Sequence, residues 1–433
     1  MTPAGRASAA IEVLNDLNAR KRPASVALKD WGLAHRFAGS GDRAAIGSLV
    51  FDCLRQKASL GAVMEDDGPR ALVLRALVSA WGISVHNVDR LCDGSRFAPE
   101  PLTDAERAGL ARVLSPEVPA WIRGDFPDWL EPSLMAVFGA DAAAEGAALS
   151  VRAPVDLRVN TLKANRDKVL KSLARFEPLR AAFAKHGLRI APRQGSARTP
   201  NVEADGAHGK GWFEVQDEGS QLAAAMAGAG TRDQVIDLCA GAGGKTLALA
   251  AAMENTGQLY AYDADRLRLR PIFERIRRAG VRNVQVLEGS VEAGLAPLKG
   301  KMDRVLIDAP CSGSGTWRRR PDAKWRLTEE MLTARAAEQA AVLDSGAELV
   351  KPGGQLTYIT CSVLPSENRE QIDSFLSRHA EFSVRPWRES WTSAIDVGAP
   401  SSADGCVELW LWSPRCHGTG GCFVGSVKRE LCV

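Results

Sequence analysis

Residues 234–246, QVIDLCAGAGGKT, decide the fold class. The first five, which include Val235, Ile236 and Leu238, read as a short strand, and three glycines within four positions then interrupt the pattern. Helix-forming residues follow at 245–253. A strand, a Gly-rich turn and a helix in this order predict a doubly wound α/β domain, in which ligands bind at the carboxyl ends of the strands.

The same alternation of strand and helix continues towards the C-terminus. Strands are predicted at 259–262, 284–287, 304–307 and 355–359, and helices at 266–279, 328–350 and 366–378. The stop signal Lys-Pro-Gly-Gly at 351–354 ends the long helix. We therefore predict a Rossmann-like, mostly parallel, doubly wound sheet.

Two further regions precede this domain. Up to about Leu114 apolar residues recur every three or four positions, as in IGSLVFDCLRQ and RALVLRALVSAW, which predicts helices. Residues 155–159 then read as a strand and 166–173 as a helix. The predicted domains are an all-α domain at 1–115, a linker with a small α+β subdomain at 116–214, and the α/β domain at 215–433.

Composition restricts the class of protein only broadly. The 433 residues are 45% hydrophobic and 25% charged, with a net charge of +3, which is typical of a globular protein. The N-terminus lacks an uninterrupted apolar run, and no segment is long enough to span a bilayer. Nine cysteines at irregular spacing favour reduced thiols, so we predict a soluble cytoplasmic protein without membrane contact.

Arginine and lysine are concentrated in two segments. Seven arginines lie between 266 and 282, and five cations lie between 318 and 326. Such clusters are most often solvated faces. The second cluster also contains Trp317 and Trp325, and cations beside flat aromatic side chains suit phosphates and unstacked bases. It is therefore a candidate nucleic-acid contact.

The Gly-rich turn is a candidate nucleoside site. Glycines let a backbone approach a ligand closely and tolerate positive φ. A dinucleotide fingerprint would need a third glycine where Thr246 stands, which weakens that interpretation. Asp263 ends the second strand, where a carboxylate could bind both ribose hydroxyls. A tight turn without a ligand is the alternative, but together with Asp263 the turn favours a nucleoside such as S-adenosylmethionine.

Two other predicted strand ends each carry a cysteine. Strand 304–307 runs into Asp308-Ala-Pro-Cys311, and the strand ending at Ile359 runs into Thr-Cys361-Ser. Both ends should open onto the same crevice as the Gly-rich turn. A thiolate that adds to carbon 6 of a cytosine makes carbon 5 nucleophilic, and a second cysteine and a carboxylate suit the later release steps. Each thiol alone could be a core residue, but their shared placement beside Asp308 argues against that for both.

Five ordered segments resemble a known family. They are LRVNTLK, VQDEGSQL, DLCAGAGGKT, DAPCSGSGTWRRRPDAKWR and YITCSVLPSEN, and they are similar to motifs of the RsmB/Nop/Sun family of RNA cytosine-5 methyltransferases over roughly residue 121 to the end. The resemblance implies a methyltransferase that uses S-adenosylmethionine and acts on RNA, with the 16S rRNA of the small ribosomal subunit as the expected substrate.

The resemblance also implies roles for individual residues. Cys361 would be the nucleophile, Cys311 would help to release the product, and Asp308 would hydrogen-bond the cytosine edge near N3. The implied cofactor contacts are Cys239, Ala240, Gly241, Ala242, Gly243, Gly244, Lys245, Asp263 and Asp308, together with Ser290, which stands where the family usually has an acidic residue.

The first domain resembles the NusB-like helical module of bacterial rRNA cytosine methyltransferases, mainly in SGDRAAIGSLVFDCLRQKASL at 40–60. Such a module would add RNA contact surface and favour small-subunit rRNA over tRNA, and the middle subdomain would add more. A generic helical scaffold is the alternative. We expect a monomer without an obligate protein partner.

Other classes of protein are less compatible with the sequence. DNA cytosine-5 methyltransferases carry Glu-Asn-Val, whereas Glu367-Asn368 is followed here by Arg369. An exocyclic-nitrogen methyltransferase would need Asn-Pro-Pro-Tyr or similar at 308–311. A tRNA cytosine-5 methyltransferase and a non-enzymatic RNA-binding assembly factor stay open, the latter because Ser290 and Gly420 depart from the family pattern.

A metal site is not predicted. The C-terminal region contains several residues that could ligate zinc, but their spacing includes no close ligand pair. These residues are Cys406, Cys416, His417, Cys422 and Cys432.

Overall fold

A computed structural model describes residues 1–289, 294–391, 395, 410–412, 415 and 420–431. The chain divides into two compact units. The helical unit comprises residues 1–153, 192–199 and 316–327. The sheet unit comprises 154–191, 200–315 and 328–433, within the described ranges. The three-domain division at 115 and 214 stays a prediction.

The helical unit is built from amphipathic helices. The first one begins after Thr2, whose side chain accepts a hydrogen bond from the Gly5 amide, and it buries Ala10, Val13 and Leu14 at helical spacing. Its helices are Pro3–Arg20, Ala24–Ala34, Ser40–Arg55, Lys57–Met64, Pro69–Ser79, Val85–Leu91, Asp104–Ala111, Ala120–Gly124, Glu131–Phe138, Ala142–Leu149 and Pro321–Arg326. Cys53 and Cys92 are buried in its core, as their apolar contexts predict.

The segment 316–327 belongs to the helical unit and is anchored there by buried polar contacts. Lys324 is fully buried, and its Nζ donates to the Arg55 carbonyl at 2.9 Å and to Ser150 Oγ at 3.1 Å. Trp317 is 1% exposed, and Trp325 Nε1 donates to the Leu54 carbonyl at 2.6 Å. The expectation that this cluster of cations and tryptophans faces nucleic acid is therefore wrong for Trp317 and Lys324, because they form part of a protein core.

The sheet unit contains a small antiparallel sheet, with strand order β2-β3-β1-β4. Its strands are β1 Val155–Val159, β2 Leu179–Arg180, β3 Gly187–Ile190 and β4 Phe213–Val215. The helix Arg166–Ser172 accompanies this sheet, and Val169 packs with Leu157, Leu188 and Phe213 in an apolar cluster. This is the small α+β arrangement that the sequence predicts.

The large sheet has the strand order β10-β12-β9-β8-β5-β6-β7, with β11 paired to β12. The five neighbours from β9 to β7 are parallel, and β12 is antiparallel to both β9 and β10. Its strands are β5 Gln234–Asp237, β6 Gln258–Ala261, β7 Val284–Val286, β8 Met302–Asp308, β9 Val350–Thr360, β10 Phe382–Arg385, β11 Trp410–Trp412 and β12 Cys422–Arg429. The predicted doubly wound, mostly parallel sheet is confirmed.

The helices of the sheet unit follow the predicted pattern with two departures, one of which is that the long helix predicted at 328–350 ends at Ala347, because residues 350–354 belong to β9. The helices are Arg166–Ser172, Gly206–Gly209, Glu218–Met226, Gly244–Ala252, Arg266–Leu269, Ile272–Ala279, Glu329–Ala347, Arg369–Arg378 and Trp387–Ser390. The single helix predicted at 266–279 is wrong, because Pro271 lacks an amide hydrogen and divides it in two. No helix within the described ranges is long and apolar enough to cross a membrane.

The order of the strands marks where a ligand should bind. The chain leaves β5 towards β6 and β7, and it returns to β8 on the other side of β5. The direction of winding therefore reverses between β5 and β8. In open α/β sheets the crevice outside the carboxyl ends of such strands is the usual ligand site.

Candidate active site

Cys311 and Cys361 come together at the carboxyl edge of the parallel strands. Cys311 follows β8, Cys361 directly follows β9, and the two strands are hydrogen-bonded neighbours. Their Sγ atoms are 3.3 Å apart, and both thiols are free and partly exposed. Two thiols that lie fifty positions apart in the chain are thus brought into contact.

The two thiols have opposite shifts in pKa. The hydrogen bond from the Cys311 thiol lowers the pKa of Cys361, although burial and the Asp308 carboxylate act against this, and the Lys245 ammonium group supports it. The same hydrogen bond, together with burial, raises the pKa of Cys311 well above its ordinary value. The opposite shifts favour the thiolate at Cys361 and the thiol at Cys311, with Cys311 as the hydrogen-bond donor.

An ion pair lies beside the cysteines. Lys245 Nζ is 2.6 Å from Asp308 Oδ2, and the Lys245 side chain is almost completely buried. Burial alone would lower the pKa of Lys245, but the carboxylate of Asp308 raises it above the ordinary value. Lys245 therefore carries a positive charge that holds Asp308 at the end of β8 and favours the Cys361 thiolate.

The Gly-rich turn has the conformation that its glycines predict. Gly241 and Gly243 have φ values of 49° and 83°, and a Cβ on Gly243 would lie 2.5 Å from Ile272 Cγ1. Asp263 stabilises the turn, since its Oδ2 accepts from the Gly241 amide at 2.8 Å while its Oδ1 accepts from the Asp265 amide. Each carboxylate oxygen has a second acceptor site, so Asp263 could still bind ribose hydroxyls.

Asp237 ends β5 at the base of this turn. It is fully buried, its Oδ2 accepts from Thr246 Oγ1 at 2.7 Å, and its Oδ1 has no hydrogen-bond partner among the described residues. Burial raises the pKa of Asp237 to about 7. A Gly-rich turn in the positive-φ conformation and an unsatisfied buried oxygen at its base both fit a polar ligand at this point, as expected for a nucleoside cofactor.

Glu367 and Asn368 fix the loops that follow Cys311 and Cys361, although neither was predicted as a site residue. Glu367 accepts from the Ser312 amide at 2.7 Å, from Ser312 Oγ at 2.5 Å and from Gln339 Nε2 at 3.1 Å. Asn368 Nδ2 donates to the Ser362 carbonyl at 3.0 Å. Adjacent residues thus hold the loop that follows Cys311 and the loop that follows Cys361. The signal in the sequence that could have identified them is their position, since both are polar and lie a few residues after a predicted strand end.

Gly315 joins the same loops through its backbone. Its amide donates to the Cys361 carbonyl at 2.9 Å, and its carbonyl accepts from the Gly421 amide at 2.8 Å. A Cβ at position 315 would lie 2.1 Å from the Gly421 carbonyl oxygen. Only glycine therefore allows β12 and the two cysteine loops to approach this closely.

Two further residues were predicted to contact the cofactor, Cys239 and Ser290. Cys239 is half-buried in the turn, and desolvation raises the pKa of its thiol, as expected for a packed residue. Ser290 lies outside the described residues.

Among the residues that the structure describes, no group of histidine, cysteine and carboxylate side chains could hold a metal ion. Cys422 is buried on β12, and the remaining candidates Cys406, Cys416, His417 and Cys432 lie outside the described ranges.

A doubly wound sheet with a Gly-rich turn after β5 and an acidic residue after β6 defines a Rossmann-like methyltransferase. Comparison with known proteins agrees with this class. The family described as 16S rRNA methyltransferase RsmB/F matches residues 226–428, and the RsmF/B-like ferredoxin-like domain matches 126–194.

Similar proteins narrow the class to one family. A probable ribosomal RNA small subunit methyltransferase B from Synechocystis is 29% identical over 96% of this chain and 98% of its own length. The Sodalis glossinidius ribosomal RNA small subunit methyltransferase B is 32% identical over 72% of this chain and 68% of its own. A methyltransferase homolog protein from Pyrococcus horikoshii is 28% identical, with a TM-score of 0.59 over 73% of this chain and 100% of that one.

This chain therefore belongs to the RsmB/F methyltransferase family. The family membership predicted from the five motifs is confirmed. The prediction that the cofactor is S-adenosylmethionine is confirmed as well.

Proposed function

We propose that this protein transfers a methyl group from S-adenosylmethionine to carbon 5 of a cytosine in 16S rRNA. The observation that carries the proposal is the 3.3 Å approach of the Cys311 and Cys361 sulfur atoms. Methylation of an oxygen or nitrogen atom needs no thiol, since these atoms have lone pairs of their own. Two converging thiols beside a carboxylate instead support covalent activation of a ring carbon.

The first step uses the Cys361 thiolate. Its Sγ forms a bond to carbon 6 of the cytosine, and the displaced π electrons make carbon 5 nucleophilic. In the proposal, Asp308 hydrogen-bonds the cytosine edge near N3 and orients the ring. Lys245 keeps the Asp308 carboxyl group in position through the 2.6 Å ion pair.

The cofactor would be held by the Gly-rich turn at 239–245, by Asp263 and by Asp308. S-adenosylmethionine supplies an electrophilic methyl group when it is bound. The turn suits a nucleoside because Gly241 and Gly243 adopt positive φ values, which let the backbone approach a ligand closely. Asp263 would bind the ribose hydroxyls with the acceptor sites that the Gly241 and Asp265 amides do not use.

The final step restores the enzyme. The hydrogen on carbon 5 leaves as a proton to solvent, the C6–S bond breaks, and its electron pair returns to Cys361 as a thiolate. The Cys311 thiol stabilises this departing thiolate, because it donates a hydrogen bond to the same sulfur atom. Cys311 thus acts mainly in product release.

The remainder of the chain would bind the RNA. We propose that residues 1–115 form a NusB-like RNA-binding module, that 116–214 add RNA contact surface, and that 215–433 form the catalytic domain. The relatives from Synechocystis and Sodalis carry names that assign them to small-subunit rRNA, which supports rRNA over tRNA. The proposed setting is the cytoplasm, with the protein acting as a monomer.

The test is methylation of protein-free 16S rRNA with tritiated S-adenosylmethionine, followed by digestion to nucleosides and chromatography. We expect the label in 5-methylcytidine. Label in a different nucleoside would contradict the proposed chemistry, and label in tRNA but not in 16S rRNA would contradict the proposed substrate. Bisulfite sequencing of the product would then locate the cytosine.

The pKa of Cys361 gives a second prediction. Because the lowered pKa leaves more thiolate near neutral pH, Cys361 should be alkylated by iodoacetamide with a midpoint below the ordinary thiol value of 9.0. Cys311→Ala removes the hydrogen-bond donor, so the midpoint for Cys361 should rise. At a pH below the pKa, each unit of this rise lowers the fraction of thiolate about tenfold. Mass spectrometry of the Cys361 peptide across a pH series measures this.

The matched control for this titration is Cys92→Ala, which removes a buried thiol of the helical unit. Its midpoint for Cys361 should equal that of the wild-type protein. A midpoint that stays constant or falls in Cys311→Ala would show that the Cys311 thiol does not stabilise the Cys361 thiolate.

Glu367 is predicted to be a positioning residue. Glu367→Gln keeps the volume of the side chain but removes the charge that strengthens its bonds to the Ser312 amide and hydroxyl group. We expect kcat to fall about tenfold with little change in KM for RNA, since a charge-assisted hydrogen bond contributes about 1.5–3 kcal/mol. Steady-state kinetics separate the two parameters.

Glu370→Gln is the control for Glu367→Gln, because Glu370 is an exposed glutamate three residues further on. It should leave both parameters unchanged. An equal effect on KM and kcat, or an unchanged alkylation rate of Cys361, would argue for a general structural role of Glu367 instead.

A further inference from the structure

Two arginine side chains bind the backbone of the Gly-rich turn. Arg275 Nη1 donates to the Ala242 carbonyl at 2.8 Å, and Arg158 Nη1 donates to the Gly244 carbonyl at 2.7 Å. The two carbonyls belong to the neighbours of Gly243, whose φ of 83° favours glycine. Guanidinium groups thus hold the turn on both sides of this glycine.

The peptide group between Ala242 and Gly243 is restrained at both of its polar atoms. Its carbonyl oxygen accepts from Arg275, and its N–H, that of Gly243, donates to the Ala240 carbonyl at 2.8 Å. Because a peptide group is planar, the two hydrogen bonds together fix its orientation. Glycine tolerates positive and negative φ, so a turn of this composition has other conformations open to it. The bond from Arg275 favours the observed one.

Both arginines are connected to the small antiparallel sheet. Arg158 is a residue of β1, and Glu214 is a residue of β4. Arg275 lies on the helix Ile272–Ala279, and its Nε and Nη2 donate to Glu214 Oε2 at 3.2 Å and 2.9 Å. The guanidinium group of Arg275 therefore bridges a carboxylate of the small sheet and a carbonyl of the Gly-rich turn.

The bridge lies largely out of contact with water. The side chain of Glu214 is 5% exposed, and that of Arg275 is 21% exposed. Burial alone would raise the pKa of Glu214, but Arg275 and Arg278 lower it below its ordinary value, so Glu214 is a carboxylate. Hydrogen bonds between charged groups are stronger than those between neutral groups. Glu214 therefore fixes the position from which Arg275 reaches the turn.

We propose that the small antiparallel sheet positions the Gly-rich turn for S-adenosylmethionine, with Arg275 and Arg158 as the positioning residues. A turn that already has its binding conformation loses less conformational freedom when the cofactor binds, which increases the affinity. This role rests on the proposed placement of the cofactor at residues 239–245. It gives β1 and β4 a part in cofactor binding, in addition to the RNA contact surface proposed for 116–214.

Arg275→Met tests the proposal, and Arg278→Met is its matched control. Each variant removes one arginine that binds Glu214 from the same helix, since Arg278 Nη2 donates to Glu214 Oε1 at 2.6 Å. Of the two arginines, only Arg275 donates to a carbonyl of the turn within the described ranges. We expect the Kd for S-adenosylmethionine to rise about tenfold in Arg275→Met, and to stay within about twofold of the wild-type value in Arg278→Met.

Two calorimetric methods separate positioning from general stability. Isothermal titration calorimetry measures the Kd, and differential scanning calorimetry measures the melting temperature, which both variants should lower because each removes a partner of Glu214. In Arg275→Met, kcat at saturating cofactor should stay within about twofold of the wild-type value, since the lost interaction favours binding and not the chemical step. Equal increases in Kd in the two variants would overturn the proposal in favour of a purely structural ion pair.

Arg275→Lys keeps the proposal testable if Arg275→Met does not fold. Its ammonium group retains the ion pair with Glu214, but it lacks the planar fork that binds a carboxylate and a carbonyl at once. The melting temperature should then stay close to the wild-type value while the Kd still rises. An unchanged Kd in every Arg275 variant that folds would overturn the proposal.

Asp263→Ala distinguishes this role from the proposed cofactor site, because it removes the proposed ribose contact. We expect it to raise the Kd for S-adenosylmethionine at least as much as Arg275→Met does. A rise in Asp263→Ala without a difference between Arg275→Met and Arg278→Met would refute only the positioning role. An unchanged Kd in Asp263→Ala would contradict the proposed cofactor contact, and a persisting difference between the arginine variants would still uphold the positioning role.

Discussion

Cys361→Ala is expected to abolish methyl transfer to 16S rRNA while RNA binding stays within about twofold of the wild-type value. Without Sγ no group adds to carbon 6, and carbon 5 then lacks the electron density to accept a methyl group. Loss of a covalent nucleophile typically lowers the rate by at least about 10⁴-fold. A single-turnover assay with tritiated S-adenosylmethionine measures the rate, and filter binding measures the affinity.

Cys92→Ala serves as the control for this loss, since it removes a thiol that is buried far from β8 and β9 in the chain and lies in the helical core. It should methylate at the wild-type rate. Residual activity in Cys361→Ala together with complete loss in Cys311→Ala would assign the nucleophile to Cys311 and reverse the proposed roles.

Cys311→Ala is expected to trap a covalent complex between the protein and RNA. The variant keeps the nucleophile but lacks the thiol that stabilises the departing Cys361 thiolate. A hydrogen bond to a charged group contributes about 1.5–3 kcal/mol, so the breakdown of the adduct should slow about 10- to 100-fold. The reaction is carried out at alkaline pH, where Cys361 is still a thiolate in the variant. The complex with labelled RNA should then survive denaturing electrophoresis.

The double variant Cys311→Ala/Cys361→Ala decides whether the trapped species is the proposed one. It should form no adduct, because the attacking sulfur is gone. An adduct that persists in the double variant would come from another nucleophile. The absence of an adduct in Cys311→Ala, in a preparation whose wild-type counterpart is active, would mean that Cys311 has no part in release.

The parallel part of the large sheet could be predicted because its signals are local. A short strand-like segment followed by a Gly-rich turn predicts β5, and strand-like segments predict β6 to β9 within one or two residues at most ends. The pairing of the antiparallel strands could not be predicted in this way. β12 inserts between β9 and β10, and this pairing depends on residues that lie far apart in the chain, so periodicity does not reveal it.

The convergence of Cys311, Cys361 and Asp308 could be predicted from the same logic. Each follows a parallel strand, and the ends of neighbouring parallel strands share one edge. The bond between Glu367 and Ser312 could not, because it joins residues 55 positions apart and leaves no periodic signal. Trp317 and Lys324 were misread for a related reason, since cations beside aromatics suit a protein core as well as RNA.

The anchoring of segment 316–327 in the helical unit has a practical consequence for truncation. A fragment that begins after residue 153 would retain this segment but lose the partners that bury Lys324 and Trp325, including Leu54, Arg55 and Ser150. It would expose the Lys324 amine, which the intact chain keeps from water, and more of the half-buried Trp325 indole ring. Expression of the catalytic portion by itself should therefore yield an aggregation-prone polypeptide, and co-expression of residues 1–153 as a separate chain is the rational remedy.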